Sequence, residues 1–265
     1  MKIGIVGCAG RMGRMLIQEV LRTPGAELAG GTEPAGGTAV GQDLGTLVGA
    51  KPARIAVGTD TKALFAASDA VIDFTVPAAT KVHAELAGLL GKALIVGTTG
   101  LSDEVRATIA AAAKKTAIVQ APNMSVGVNV LLALTEKLAA TLGTDYDIDI
   151  LEMHHRHKVD APSGTALGLG EAAAQGRKVA LKDVARTTRD GQVGARPVGE
   201  IGFATLRGGD VIGDHTVVFA ADGERIEITH KASSREIFAK GAVRAAMWCK
   251  ARPSGLYSMR DVLGL

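Results

Sequence analysis

The feature that most narrows the folds open to this chain is its beginning. A short apolar run, Lys2 to Val6, passes directly into Gly7-Cys8-Ala9-Gly10-Arg11-Met12-Gly13 and then into a helical pattern through Val20. Small residues at that spacing let the backbone turn sharply out of a strand and approach a pyrophosphate, whose charge meets the amides at the start of the next helix. Glycine spacing alone carries little weight in a chain with 34 glycines among 265 residues. The address between strand and helix gives it force. So does Glu33, about 20 residues beyond Gly13 and just past a second apolar run, Glu27 to Thr32, where a carboxylate accepts hydrogen bonds from ribose hydroxyls. Dinucleotide binding is therefore expected at Gly7, Cys8, Ala9, Gly10, Arg11, Met12 and Glu33.

The same rhythm continues. Ala70 to Thr75, Ala93 to Gly97 and Ala117 to Gln120 read as strands, and Thr80 to Leu90 and Asp103 to Lys114 as helices with apolar residues three or four apart. Repeated βαβ units imply a parallel sheet covered on both faces. Gly97-Thr98-Thr99 and Ala121-Pro122-Asn123-Met124 end two of these strands at the carboxyl edge, where ligands meet open α/β sheets, and are expected to complete the cofactor site. An acid at position 33 repels a ribose 2′-phosphate, and its neighbour is Pro34 rather than a cation. NADH is the expected cofactor, with NADPH left possible by Arg11 in the glycine loop.

From Asp147 the pattern changes. Three runs, at Ile201, His215 and Arg225, alternate apolar and polar residues as antiparallel strands with one open face do, separated by Gly208-Gly209-Asp210 and Asp222-Gly223 turns. Arg177 to Gly194 is polar and reads as a surface excursion. A last helix, about Arg235 to Lys250, has no strand predicted after it, so the C-terminus is expected to return to the first domain. The expected division is 1–124, with 235–265 packing back on it, and 125–234.

Between these halves lies Glu152 to Thr165, E-M-H-H-R-H-K-V-D-A-P-S-G-T, after the strand-like Tyr146 to Leu151 and before a helical A-L-G-L-G-E-A-A-A. Three imidazoles beside two cations repel one another when protonated and gain little from burial, so chemistry is the better reason for them. An ammonium donates a proton and an imidazole passes one either way, which makes Lys158 and His154 a pair suited to quenching the electron density left by hydride addition. Ser163-Gly164-Thr165 offers amide and hydroxyl donors at a helix start, a site for one carboxylate. Arg156, His157 and Asp160 are expected to orient the loop or face solvent. A zinc site of His154, His155 and His157 lacks a further ligand and has awkward loop geometry, so no metal is expected.

A net charge of +3 and 3% aromatic residues do not suit nucleic-acid binding; a small acidic ligand fits better. Two cysteines, Cys8 and Cys249, have neither a disulfide framework nor metal-ligand spacing, as expected of a reduced compartment, the cytoplasm. Cys8 reads as structural, leaving no thiol nucleophile. No apolar stretch reaches the roughly 18 residues of a membrane helix. I-V-G-C lies too close to the N-terminus to follow a signal peptide's apolar core.

With these motifs in place, the chain resembles the 4-hydroxy-tetrahydrodipicolinate reductases, also called dihydrodipicolinate reductases, nearly end to end. The resemblance rests on G-x-x-G-R-M-G, D-F-T-x-P from Asp73, V-G-T-T-G from Val96, S-V-G-V-N from Ser125 and the E-x-H-H-x-x-K-x-D-A-P-S-G-T segment. It continues through I-G-F-A-T at Ile201, G-D-H-T at Gly213 and I-T-H-K-A-S-S-R at Ile228. It implies an α/β subunit: an N-terminal Rossmann-type parallel-sheet domain, plus a C-terminal α+β domain that binds substrate and assembles a homotetramer. It also implies NAD(P)H-dependent reduction of a cyclic imine dicarboxylate in lysine synthesis through diaminopimelate. By the same resemblance His154 is a proton donor/acceptor, Lys158 a proton donor and His155 a substrate contact, with Gly164 and Thr165 cradling a carboxylate. Pro34 stands where many NADPH-using members have arginine, and Met124 where phenylalanine is common. The alternatives are another Rossmann-type dehydrogenase and a non-catalytic NADH sensor; the His-His-x-x-Lys loop before Ser-Gly-Thr argues against both.

Overall fold

The alternating first half folds into β1 (Lys2–Val6), α1 (Arg11–Arg22), β2 (Glu27–Thr32), α2 (Leu44–Leu47), α3 (Thr61–Ala67), β3 (Ala70–Asp73), α4 (Pro77–Leu90), β4 (Ala93–Val96), α5 (Asp103–Ala113) and β5 (Ala117–Gln120). The computed structural model describes all of residues 1–265. They divide into two compact units, Met1–Val126 with Glu236–Gly264, and Gly127–Arg235.

Strands β1 to β5 run parallel in the order β5-β4-β3-β1-β2. Residues along each point alternately to two cores. Ile3, Ile5, Ile72, Ile95 and Val119 share one core with Leu16, Ile17 and Val20 of α1 on one face, while Val71, Leu94 and Ile118 share another with Ala84, Ala87, Val105 and Ile109 on the other. Each fully buried Leu or Ile contributes about 1.5–3 kcal/mol, which is why these strands are apolar throughout rather than alternating. Side chains also start the helices: Asp60 Oδ1 accepts from the Ala63 amide and Ser102 Oγ from the Val105 amide, while Pro77 occupies the first turn of α4.

The second unit contains α6 (Val126–Leu142, its first residue still in the first unit), β6 (Asp147–His154), α7 (Gly164–Arg177), α8 (Leu181–Val184), β7 (Ala185–Arg186), β8 (Ile201–Arg207), β9 (Gly213–Ala221) and β10 (Glu224–Ala232). Its sheet has the order β10-β9-β6-β8-β7. The antiparallel expectation holds for β9 and β10, but β8 runs parallel to β6. The reason is α7, which crosses over between them and makes a βαβ unit whose buried face holds Ile148, Ile150, Leu169, Ala173, Ile201 and Phe203. Arg177 to Gly194 is only partly the expected surface excursion: Leu181 of α8 is buried in this core and β7 pairs with β8, while beyond them Arg189 and Arg196 pair with Asp149, and Arg196 with Asp147, on the other face of β6.

After β10 the chain forms α9 (Glu236–Trp248), β11 (Gly255–Tyr257) and α10 (Met259–Leu263) within the first unit. Ala242, Val243 and Ala246 of α9 join the core over α1. The expectation of no strand after this helix is corrected: β11 pairs parallel to β5, with Leu256 opposite Ile118, and becomes the sheet's edge. Three residues are too few to carry a period in the sequence.

Candidate active site

Chain order reverses between β1 and β3, the point at which ligands enter open parallel sheets. Gly7 follows β1 there, with a φ of 65° that favours glycine. Beyond it, a Cβ on Gly13 would lie 2.2 Å from the Gly7 carbonyl oxygen, so only glycine lets α1 begin this close to the strand. The first amides of α1, at Arg11, Met12 and Gly13, have no intrahelical acceptor and carry the positive end of the helix dipole. A cavity of about 410 Å³ lined by Gly7, Gly10, Glu33, Pro34, Thr75 and His83 adjoins them. The geometry fits a dinucleotide, with pyrophosphate at the helix start and ribose beside Glu33.

Several expected cofactor residues are already committed to the protein. The Gly7 and Cys8 amides donate to the Thr32 carbonyl at 2.9 and 3.2 Å. The Ala9 amide donates to Glu33 Oε1 at 2.6 Å, tying the glycine turn to the carboxylate. Cys8 is fully buried, and burial followed by the Glu33 charge pushes its thiol up to about 12, so it is inert. The Gly97 and Ala121 amides bond to the Asp73 and Val96 carbonyls. Met124 lies in the core, and its carbonyl abuts Gly241 of α9, where any Cβ would clash. Contacts from Cys8 and Met124 to a cofactor are thereby limited to their backbone. Arg11, Thr99 and Pro122 are exposed, Met12 is half-buried, and the Asn123 side chain accepts from the Ser125 amide.

Beneath this edge lies a cluster of buried polar side chains. Asp73 is fully buried at the end of β3, and its Oδ2 lies 2.8 Å from His83 Nδ1. Its Oδ1 accepts from the amide and hydroxyl of Thr75 and from Thr98 Oγ1. Burial alone would raise this carboxyl; the hydrogen bonds and charge of His83 and the Thr75 contacts hold it below the ordinary range.

In the second unit, β6 buries alternate residues: Ile148, Ile150, Glu152, His154. The inward face thus turns from apolar to ionisable at the strand's carboxyl end. Cross-strand register puts Glu152 beside Thr205 and His215, and His154 beside Arg207. Glu152 is 1% exposed. Its Oε2 lies 2.5 Å from His154 Nδ1 and accepts from Arg207 Nη1 at 2.8 Å, while Oε1 accepts from Arg207 Nη2 at 2.9 Å and the Ser163 amide at 3.0 Å. Burial would raise Glu152, but bonds from Arg207, His154 and Ser163 outweigh it and keep the carboxyl low. Burial lowers the His154 imidazole; Glu152 opposes this and the Lys158 and Arg207 charges reinforce it.

Ser163 caps α7: its hydroxyl accepts from the Ala166 amide at 3.1 Å and shares a 3.1 Å hydrogen bond with His215 Nε2. His215 is 4% exposed and is pushed down to about 4, by burial first and then by the His154 charge. A Cβ on Gly164 would meet nothing within 4 Å, so the helix start is open there, as a carboxylate cradle requires. Lys158 Nζ donates to the exposed Asp160 at 2.8 Å, and Arg207 Nη2 donates to the Asp160 carbonyl at 2.7 Å. The structure thus brings His154, Lys158, Ser163, Gly164 and Thr165 to one end of the second sheet. His155 is half-buried, its ring 6.2 Å from that of His157, which is exposed like Arg156. No three His, Cys, Asp or Glu side chains converge on a point that would hold a metal. The strand expected to end at Leu151 continues as β6 through His154, which is what turns Glu152 inward; Arg207 and His215 meet it only through strand pairing.

Comparison with known proteins covers the whole chain. Residues 1–124 match the family model described as "Dihydrodipicolinate reductase, N-terminus", and residues 127–263 the one described as "Dihydrodipicolinate reductase, C-terminus". A 4-hydroxy-tetrahydrodipicolinate reductase of Methylocella silvestris is 55% identical over 100% of this chain and 97% of its own. One of Dinoroseobacter shibae is 53% identical over 99% and 98%. Among solved structures, a dipicolinate-bound dihydrodipicolinate reductase from Paenisporosarcina sp. TG-14 shares the fold with a TM-score of 0.78 at 23% identity, covering 98% of each chain.

Proposed function

Because the chain belongs to the dihydrodipicolinate reductase family, we propose that it performs the family's hydride transfer with His154 and Lys158 as its proton-handling pair. It is an NAD(P)H-dependent 4-hydroxy-tetrahydrodipicolinate reductase, converting that small dicarboxylate to tetrahydrodipicolinate, with loss of water, in lysine synthesis through diaminopimelate. The reduced nicotinamide supplies the hydride when bound. The protein holds it through the first turn of α1, from Arg11, and through Glu33, with Gly7, Ala9, Gly10, Thr98, Thr99, Pro122 and Asn123 along the same edge. The Lys158 ammonium delivers the proton that quenches the resulting electron density and attracts the dicarboxylate, and His154 accepts or returns protons beside it. Ser163, Gly164 and Thr165 hold one carboxylate at the start of α7, and His155 contacts the ring.

One observation carries this assignment of roles. Glu152 bonds to both the His154 ring and the Ser163 amide, so the proton-handling group and the anion cradle are fixed to one buried carboxylate. NADH is the preferred cofactor, because Glu33 lines the cavity beside Pro34 with no cation adjoining it in sequence. A homotetramer is favoured by the open face of the second sheet, where Leu151 and Leu206 are 38% and 49% exposed and Thr216 and Thr229 lie alongside. Two buried free thiols suit a reducing compartment, hence the cytoplasm, and no helix is long and apolar enough to cross a membrane. The test is NADH and NADPH oxidation with 4-hydroxy-tetrahydrodipicolinate generated in the cuvette, with light scattering for the assembly. Faster NADH oxidation and a tetrameric mass are expected; folded protein that binds NADH without substrate-dependent oxidation refutes the reading.

A further inference from the structure

We propose that Glu152 and Arg207 are a positioning pair: together they hold His154 as the tautomer protonated on Nδ1 and present its bare Nε2 to the substrate. This rests on the reading of His154 as a proton-handling group. An ionised carboxylate only accepts hydrogen bonds. Glu152 is buried and gathers two guanidinium donors and the Ser163 amide, all of which need it charged. The nitrogen 2.5 Å from its Oε2 is His154 Nδ1, which must therefore carry the proton. A neutral imidazole has one N–H, so Nε2 is left with its lone pair.

The surroundings keep that nitrogen open. Nε2 has no protein hydrogen-bond partner, and a Cβ on Gly213 would lie 2.9 Å from it, so glycine in β9 clears the approach. The groups facing His154 are Glu152 on its own strand, Arg207 on β8, His215 on β9, with ring centroids 5.1 Å apart, and Lys158 on the loop. Among these only Glu152 is negative, so it alone offsets the imidazolium formed when Nε2 takes a proton. Two parallel bonds from Arg207 stop the carboxylate rotating, and a third, to the Asp160 carbonyl, ties down the loop that carries Lys158. One guanidinium thereby sets the acid loop and the imidazole relative to each other. Lysine cannot reproduce that fork.

The test is Glu152→Gln, whose amide offers Nδ1 a donor and so favours the other tautomer, read beside Glu152→Asp and Arg207→Lys. Expected are a fall in kcat of about 10- to 100-fold in Glu152→Gln, NADH affinity within about twofold, and the His154 limb of the pH–rate profile displaced to lower pH. Glu152→Asp, which keeps the charge, recovers part of the rate and returns the limb. Nitrogen NMR of histidine-labelled wild type reads the tautomer without turnover: Nδ1 protonated and Nε2 bare are expected, reversed in Glu152→Gln. Wild-type His154 protonated on Nε2, or Glu152→Gln with the wild-type rate and limb, overturns the proposal. If Glu152→Gln does not fold, the wild-type spectrum and the rate and limb of Arg207→Lys decide it. Failure of wild type to oxidise NAD(P)H with the dicarboxylate refutes the function instead, and leaves the tautomer measurement standing.

Discussion

Replacing His215 with glutamine tests the electrostatics of the second unit directly. The His215 imidazole is pushed from its usual 6.5 to about 4 by burial, the His154 charge adding to it. The folded protein therefore resists protonation that the unfolded chain accepts. Stability from this group is fully present above about pH 6.5 and is lost as pH falls toward 4, since over that window the unfolded state binds more protons. At about 1.4 kcal/mol per pH unit the loss amounts to about 3 kcal/mol. Glutamine does not titrate, yet it can reach Ser163 Oγ, which His215 Nε2 meets at 3.1 Å. The assay is amide hydrogen exchange of β6 and β9, corrected for intrinsic rates, at steps from pH 7.5 to 4 in both proteins. The opening free energy of wild type should fall by about 3 kcal/mol more than that of His215→Gln. Parallel curves, differing by a constant within about 0.5 kcal/mol, would refute the argument that burial keeps this ring neutral.

The remaining predictions concern the two ligand ends. Lys158→Ala should cut kcat by about 10²-fold or more with NADH affinity nearly intact by fluorescence titration; an equal loss of NADH binding would remove Lys158 from the substrate side. Pro34→Arg should raise the NADPH to NADH ratio of kcat/KM, because a guanidinium beside Glu33 offsets its repulsion of a 2′-phosphate; an unchanged ratio shifts attention to Arg11. Gly13→Ala should lower stability by about 1–3 kcal/mol or more and abolish NADH binding, since its Cβ would sit 2.2 Å from the Gly7 oxygen. Wild-type calorimetric Tm and affinity would show that the turn yields.

Much of the fold was legible because its signals are local. The glycine turn between β1 and α1 is written in a few residue positions, since a positive φ at Gly7 and the close approach of helix to strand at Gly13 leave room for no other residue at those two. The strand-like run that opens β6 was legible as far as Leu151, but not its continuation through His154, whose period of two turns Glu152 and His154 inward. The segment from Glu152 to Thr165 stood out because its chemistry is contiguous. What was not legible depends on register. β11 is three residues long and exists only because β5 offers it an edge. β8 carries the alternation of an antiparallel strand, yet α7 returns the chain so that it pairs parallel to β6.

The same division runs through the site. By itself the sequence singled out His154, Lys158, Ser163, Gly164 and Thr165 as the candidates for handling protons and anions, because they lie within one short segment. Only the tertiary structure decided what state those groups are held in. Arg207 reaches Glu152 across 55 residues, and His215 reaches Ser163 across 52. Both meetings follow from strand order and register, which are set by burying Ile148, Ile150, Ile201 and Val217 together rather than by any preference of the charged residues themselves.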